Sequence, residues 1–277
     1  MNMPDEIQLG RTPPFCRLGP QQLRAILDLA TAESLSVGAV VFDEGQPARR
    51  FHFLLSGHIR LLRMTADGDQ IILLHIPGGQ MFGIGAALGQ HSHQTTAVAA
   101  GTCVVLSWPN ALWPVFSVQY DGFAAETFRA FGARTIEMSN RIVEMSTKLV
   151  EQRIACALLR MLAQSGRKVP GGIAIGFPIT RQNIADLTGT TLHTVSRLVS
   201  RWEKQGMVES ARCSIVVKDP HRMMLVSGGE ARIAPDALTL RAKGPPHGDS
   251  VVVKAVCRSQ RNPAASSPYS RQASVTV

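Results

Sequence analysis

The chain has 277 residues, 45% hydrophobic and 18% charged; this is enough for two modest domains with linkers, and no apolar run reaches the ~18 residues of a membrane helix. Its five cysteines (Cys16, Cys103, Cys156, Cys213, Cys257) stand far apart with no CxxC pair, which argues against a disulfide framework, structural zinc or a thiolate-held cluster. The net charge of +9 is uneven: residues 1–149 hold 11 Lys and Arg against 12 Asp and Glu, residues 150–228 hold 11 against 5, and residues 229–277 hold 7 against 3, so a near-neutral first half precedes a basic second half suited to a polyanion.

Residues 1–20 read as an N-terminal arm. Asp5 and Glu6 stand where a secretory signal is basic, and no apolar segment follows, so the expected location is the cytoplasm, with no membrane partner. Residues 21–120 read as a β-roll. Pro20 to Ala32 opens them as a short helix with Leu23, Ile26, Leu27 and Ala30 on one face. Short apolar runs then alternate with turn signals: Val40–Phe42, Phe51–Leu55, Ile59–Leu62, Ile71–Ile76 and Val104–Trp108, punctuated by Gly38, Gly45, Gly57, Gly68 and Gly78–Gly79. Ala66-Asp67-Gly68-Asp69 predicts a hairpin, because Asp-Gly tolerates the positive φ of a tight turn.

Over residues 121–149 the signal becomes helical. Phe128, Phe131, Thr135, Met138, Ile142, Met145 and Leu149 follow at alternating spacings of three and four, the two-in-seven seam of a coiled coil. A partner helix from a second copy is expected; the alternative is packing on the chain's own β domain, which asks for a wider apolar face. After a break at Gly166–Gly172, residues 150–228 form a compact basic unit. Thr180 is placed to cap a helix carrying Ile184 and Leu187, Gly189 marks a turn, and Thr191 caps a second helix with Val195, Leu198, Val199 and Trp202 inward. Two short helices across a glycine turn make a helix-turn-helix. Met207–Ser210 and Ser214–Lys218 then read as a wing. Residues 229–277 lose periodicity and carry five prolines, a disordered basic tail by composition.

A β-roll, a long helix and a winged helix-turn-helix, in that order, resemble the CRP/FNR family of bacterial transcription regulators. The residues carrying the resemblance are Gly38-x-x-x-Phe42-x-x-Gly45 and Phe51-x-Phe53-Leu54-Leu55-x-x-Gly57-x-Ile59-x-Leu61 in the roll, with Thr180-Arg181-Gln182-x-Ile184 and Thr194-Val195-Ser196-Arg197 beyond it. It spans about Gln21 to Leu225. The stretches Val143–Thr147 and Thr188–Arg197 are similar to the nitrogen-oxide-responsive branch called NnrR. The resemblance implies an α+β fold with a cyclic-nucleotide-binding-like roll, a dimerisation helix and a C-terminal winged helix-turn-helix. It also implies a palindromic operator in double-stranded DNA, a homodimer and RNA polymerase as partners.

Family members that bind a cyclic nucleotide hold its phosphate with an Arg-Ser pair; here the corresponding text is His93-Gln94-Thr95-Thr96, without a cation. Cyclic AMP is therefore not expected. An iron–sulfur cluster is not expected either, since Cys16 stands alone near the N-terminus. What remains is haem, which the resemblance to the nitric-oxide branch implies, or a ligand without a name, or none. Haem takes an axial donor, most often His. His52, His58, His75, His91 and His93 are the candidates in the roll, and His91-x-His93 is the foremost, because i and i+2 share a face of a strand; two solvated rings on a loop are the alternative. Gly83-x-Gly85-x-x-x-Gly89 misses the dinucleotide fingerprint, and no phosphate loop, GxSxG or HExxH occurs, so catalysis is not expected. A cyclic-nucleotide-binding regulatory module, the reading from another class, lacks a helix-turn-helix.

The second helix of a helix-turn-helix lies in the major groove. Leu192, His193, Ser196 and Arg197 project from its first turn and a half, with 193, 196 and 197 on one face. Arg197 suits a bidentate bond to guanine, or else a phosphate clamp. His193 stands where the family usually has Glu, and Leu192 where the cyclic-AMP members have Arg. Thr180, Arg181 and Gln182 match family positions that grip phosphate, and Thr191 is grouped with them.

Overall fold

The structure, a computed structural model, describes residues 9–229. Residues 1–8 of the N-terminal arm and, apart from Gly229, the whole predicted tail lie outside the described residues. The chain order is α1 (Pro20–Asp28), β1 (Thr31–Leu35), β2 (Val40–Phe42), β3 (Arg50–Ser56), β4 (His58–Met64), β5 (Gln70–Pro77), β6 (Gln80–Phe82), β7 (Thr96–Ala99), β8 (Cys103–Pro109), α2 (Trp113–Gln119), α3 (Phe123–Thr147), α4 (Val150–Ser165), β9 (Gly166–Val169), β10 (Gly172–Ile175), α5 (Arg181–Thr188), α6 (Leu192–Lys204), β11 (Val208–Ala211), β12 (Ser214–Val217) and α7 (Pro220–Val226).

The roll is two antiparallel four-stranded sheets, ordered β1-β8-β3-β6 and β2-β7-β4-β5. Strand β3 is buried from Phe51 to Leu55 because it is central, paired with β8 on one side and β6 on the other. One core lies between the sheets, with Phe42, Leu54, Ile59, Ile76, Phe82 and Val105 among its members. The outer face of the first sheet, with Phe51 and Trp108, is covered by Phe15 from the turn before α1, Ile26 of α1, Phe116 of α2 and Phe123 at the start of α3, and the buried Trp108 Nε1 donates to the Ile26 carbonyl at 2.9 Å. The predicted hairpin is present: β4 and β5 pair from Met64–Gln70 to His58–Pro77. One irregularity interrupts them, because Leu61 faces Leu74 while Leu62 faces Ile72, leaving Leu73 as the extra residue of a bulge.

Three differences from the expected elements have local causes. Helix α1 stops at Asp28, so Ala30 lies beyond it and β1 starts at Thr31, drawn into the sheet by its ladder with β8. The helix expected through residue 149 breaks at Lys148 and Leu149, both extended, and Leu149 becomes the cap of α4, its N–H donating to Gln152 Oε1 at 2.9 Å. Leu149 is thus not part of the seam helix. The stretch read as a break is the β9–β10 hairpin, which joins the wing in a third sheet, β11-β12-β10-β9.

The third core packs α4, α5, α6 and the wing together with Leu62, Ile72, Val98 and Ala100 from the outer face of the second roll sheet. The helix-turn-helix and the roll therefore share one continuous apolar core.

Candidate nucleic-acid interface

Helix α5 begins with a reciprocal cap: Asn183 N donates to Thr180 Oγ1 at 3.0 Å and Thr180 N donates to Asn183 Oδ1 at 3.1 Å. It ends at Gly189, left-handed at φ 62°, where a Cβ would come within 2.9 Å of Met145 Cε. Helix α6 starts at Thr191, whose Oγ1 accepts from Thr194 N at 3.2 Å. Val195, Leu198, Val199 and Trp202 are buried as expected, with Trp202 Nε1 donating to Glu151 Oε1 at 3.0 Å. Apolar residues on the inward face leave Leu192, His193 and Arg197 exposed and Ser196 half-buried on the other.

Two arginines expected to touch DNA are placed very differently. The Arg197 guanidinium has no hydrogen bond or ion pair among the described residues. That of Arg181 is half-buried, donates to Ser210 Oγ at 2.9 Å and pairs with Glu203 Oε2 at 3.3 Å. Arg181 thus ties α5 to α6 and the wing, with Glu203 offsetting part of its charge. Gln182 donates to Asp186 Oδ1 at 2.6 Å from an exposed position. Sequence reasoning overlooked Arg212. It stands exposed at the wing tip beside Cys213, the one non-glycine residue of positive φ (59°) among those described. Thr180, Arg181, Ser210, Arg212 and Cys213 line a groove of ≈ 540 Å³ between the wing and the start of α5. An arginine flanked by two strand-forming runs was the signal available.

The imidazoles of the roll divide into two groups. His52 donates or accepts at Nδ1 with Ser107 Oγ (2.9 Å) and lies against Phe42 and Phe82, with ring centroids 5.5 and 5.1 Å apart; a Cβ at Gly83 would come within 2.7 Å of it. His93 stacks on the other side of this cluster, 3.7 Å from Phe42. His91 is exposed while His93 is buried, so the expected convergence of the pair on one face does not occur. In the same loop the Thr96 hydroxyl accepts from Glu44 N at 3.0 Å, and the Glu44 carboxylate pairs with Arg63. The second group sits between roll and helix-turn-helix: His58 and His75 flank Phe177 at centroid distances of 4.3 and 4.9 Å. Arg60 is the cross-strand partner of His75. Among the described residues four buried side-chain nitrogens lack a hydrogen bond, and His58 Nε2, Arg60 Nε and His75 Nε2 are three of them. Burial, and then the Arg167 charge, pushes His58 down to about 4; burial, then Arg60, His58 and Arg141, pushes His75 down to about 3.

Comparison with known proteins accords with both halves. The family model described as a cyclic nucleotide-binding domain matches residues 32–113, and that described as a Crp-like helix-turn-helix domain matches residues 152–225. Electron transport regulator A of Shewanella oneidensis is 27% identical over 71% of this chain and 78% of its own length. Nitrogen fixation regulation protein FixK of Bradyrhizobium diazoefficiens is 26% identical over 77% of this chain and 89% of its own length. The structure of FixK2 from Bradyrhizobium japonicum superposes with a TM-score of 0.63, at 23% identity, over 71% of this chain and 96% of that one.

The two low histidine values carry a sign. His58 and His75 are uncharged in the folded protein at neutral pH, whereas freed by unfolding they titrate near 6.5. The folded form binds fewer protons, so the stabilisation they contribute is complete above pH 6.5 and is lost as the pH falls towards 4 and 3. The melting temperature should fall between pH ~7.5 and pH ~5, and His75→Leu, which keeps an apolar contact to Phe177, should make that fall smaller. An equal fall in both proteins would show that His75 is not responsible.

Proposed function

Because the chain belongs to the CRP/FNR family of DNA-binding transcription regulators, we propose that it works as a homodimer which closes along α3 and sets two α6 helices on a palindromic operator. The observation that carries this is the outward face of α3. Phe128, Phe131, Met138, Ile142 and Met145 are all exposed in the protomer, at coiled-coil spacing, and Thr135 among them is exposed too. Large apolar side chains lined up on a surface mark an interface, and a two-fold partner presents the same stripe in return. Such a dimer places its recognition helices for successive major grooves, about 34 Å apart. RNA polymerase is the further partner that a regulator of transcription requires. Within the family, the stretches Val143–Thr147 and Thr188–Arg197 support the nitrogen-oxide-responsive branch.

Haem is the effector that this branch suggests, and the residues present do not fit it. An axial imidazole needs space for the porphyrin beside its free nitrogen. His52 and His93 are packed against Phe42, and His58 and His75 against Phe177; His91 alone in the roll is exposed. A cyclic nucleotide finds no cation within His93-Gln94-Thr95-Thr96 itself, and the nearby Arg63 is already paired with the Glu44 carboxylate at 3.0 Å. Cyclic AMP at ~1 mM should leave the melting temperature unchanged, and added haem should give no saturable Soret band. A saturable shift with either would overturn this assignment.

Placing Asp at both Met138 and Ile142 tests the dimer. The two are 38% and 65% exposed in the protomer, so the fold should survive, whereas two adjacent layers of a dimer seam would hold buried charge. The double variant should sediment as a folded monomer and lose operator binding; a dimer would place the interface elsewhere. Selection of bound duplexes from a random pool tests the readers. Arg197→Ala should lose about 1–3 kcal/mol of preference at one guanine, and His193→Glu should change the preferred base at one position only. Arg181→Ala should leave the base profile intact and lower the melting temperature, since its partners are Glu203 and Ser210. An Arg197→Ala protein with weaker binding and an unaltered profile would make Arg197 a phosphate clamp.

A further inference from the structure

Arg141 sits on α3, one residue before Ile142 of the seam, and its guanidinium enters a junction of three parts of the molecule. Nη2 donates to the Leu187 carbonyl at 2.6 Å and to the Ile72 carbonyl at 3.2 Å, and Nη1 donates to the Leu73 carbonyl. Two of the three acceptors are ones that the surrounding backbone leaves free. Leu73 is the extra residue of the β5 bulge, so no strand partner is aligned with it. Leu187 lies in the last turn of α5, where carbonyls have no intrahelical donor and the helix dipole favours a cation.

The rest of the contact between roll and helix-turn-helix is broad and apolar. Leu62, Ile72, Val98 and Ala100 pack with Ile184 and Leu187, Phe177 lies between His58 and His75, and Pro178 closes on Gly101, where a Cβ would come within 3.2 Å. Apolar burial holds two bodies together without fixing their angle; directed hydrogen bonds do fix it. Arg141 supplies three of them, from one rigid planar group, to both bodies at once.

We propose that Arg141 is a positioning residue for DNA binding: it sets the angle at which the helix-turn-helix stands on the roll, and so the spacing between half-sites that the dimer accepts. The proposal rests on the dimer reading. In this docked arrangement Leu192, His193 and Arg197 stand exposed, open to a DNA groove. Lysine cannot replace the arginine, since its compact ammonium lacks the planar fork that spans three carbonyls. Burial lowers the Arg141 pKa to about 10, so the group stays charged at neutral pH and keeps its donors.

The test uses the full chain and the best duplex selected from a random pool, remade with the distance between its half-sites lengthened or shortened by one and two base pairs, together with a duplex holding a single half-site. Wild type should prefer one spacing by at least about tenfold. Arg141→Lys and Arg141→Ala should both flatten that preference to within about threefold and bind the best duplex about tenfold more weakly, while sedimenting as dimers and binding the single half-site as wild type does. The lysine variant keeps the charge and serves if the alanine variant does not fold. Variants that keep the wild-type ranking of spacings, with or without loss of affinity, would overturn the proposal, and so would tighter binding of the best duplex. A wild type that sediments as a monomer would instead remove the dimer reading, which the spacing series by itself leaves distinct.

Discussion

Helix α3 carries two stripes that make opposite demands, and the arrangement of the molecule follows from how they are met. One residue round from the apolar stripe, about 100° away on the helix, lie Arg134, Glu137, Arg141 and Glu144 at the same three-four spacing, with Lys148 just past the helix end. This charged stripe faces the chain's own body. Arg134 donates to Gln80 Oε1 at 2.6 Å and Met81 O at 2.8 Å; Arg160 reaches Glu144 at 2.9 Å and Glu137 at 3.6 Å; Lys148 donates to Ser227 O at 2.8 Å. Partly buried charges are tolerated only when paired, and breaking a pair leaves the other charge uncompensated. The stripe therefore fixes the rotation of α3 about its own axis. With that rotation fixed, the middle of the apolar stripe, at Phe131, Met138 and Ile142, is left exposed.

The same helix links the two units it lies against. Its partners on one side belong to the roll, at β5 and β6; on the other they belong to α4, to the end of α5 and to the residue after α7. A displacement of the helix is therefore felt by the roll and by the helix-turn-helix in the same set of hydrogen bonds. The continuous apolar core beneath supplies most of the burial, and the polar contacts supply direction.

Inside the roll, Phe42 organises the interior: His93 stacks on it, and His52 and Phe82 lie within 5.5 and 6.1 Å of it. Burial pushes His52 down to about 3, so at neutral pH this is an uncharged aromatic cluster. In the second group, three unpartnered nitrogens on one face of β4 and β5 are the cost accepted for docking Phe177 between two imidazoles.

Signals that act over a few residues were legible in the chain alone: the Asp67-Gly68 hairpin, the caps at Thr180 and Thr191, the turn at Gly189, and the inward face of α6. Each depends on backbone geometry within one turn or one helix. The heptad spacing over Phe128 to Met145 was legible for the same reason, as was the absence of a cation between His93 and Thr96. Strands β1, β6 and β7 and the β9–β10 hairpin were not, because they are short and gain their order from ladders with distant partners, as Thr31–Leu35 does from β8. The fate of Arg181 was equally hidden: its number in the sequence marks the start of a helix, and only the approach of α6 and the wing brings Glu203 and Ser210 to it. The sequence by itself determined which segments form the helix-turn-helix and which face of the long helix is apolar, since both are periodic and local. Tertiary structure alone decided where that face points and which arginines are already engaged, because those depend on charges and carbonyls brought together from positions as far apart as Leu73, Arg141 and Leu187.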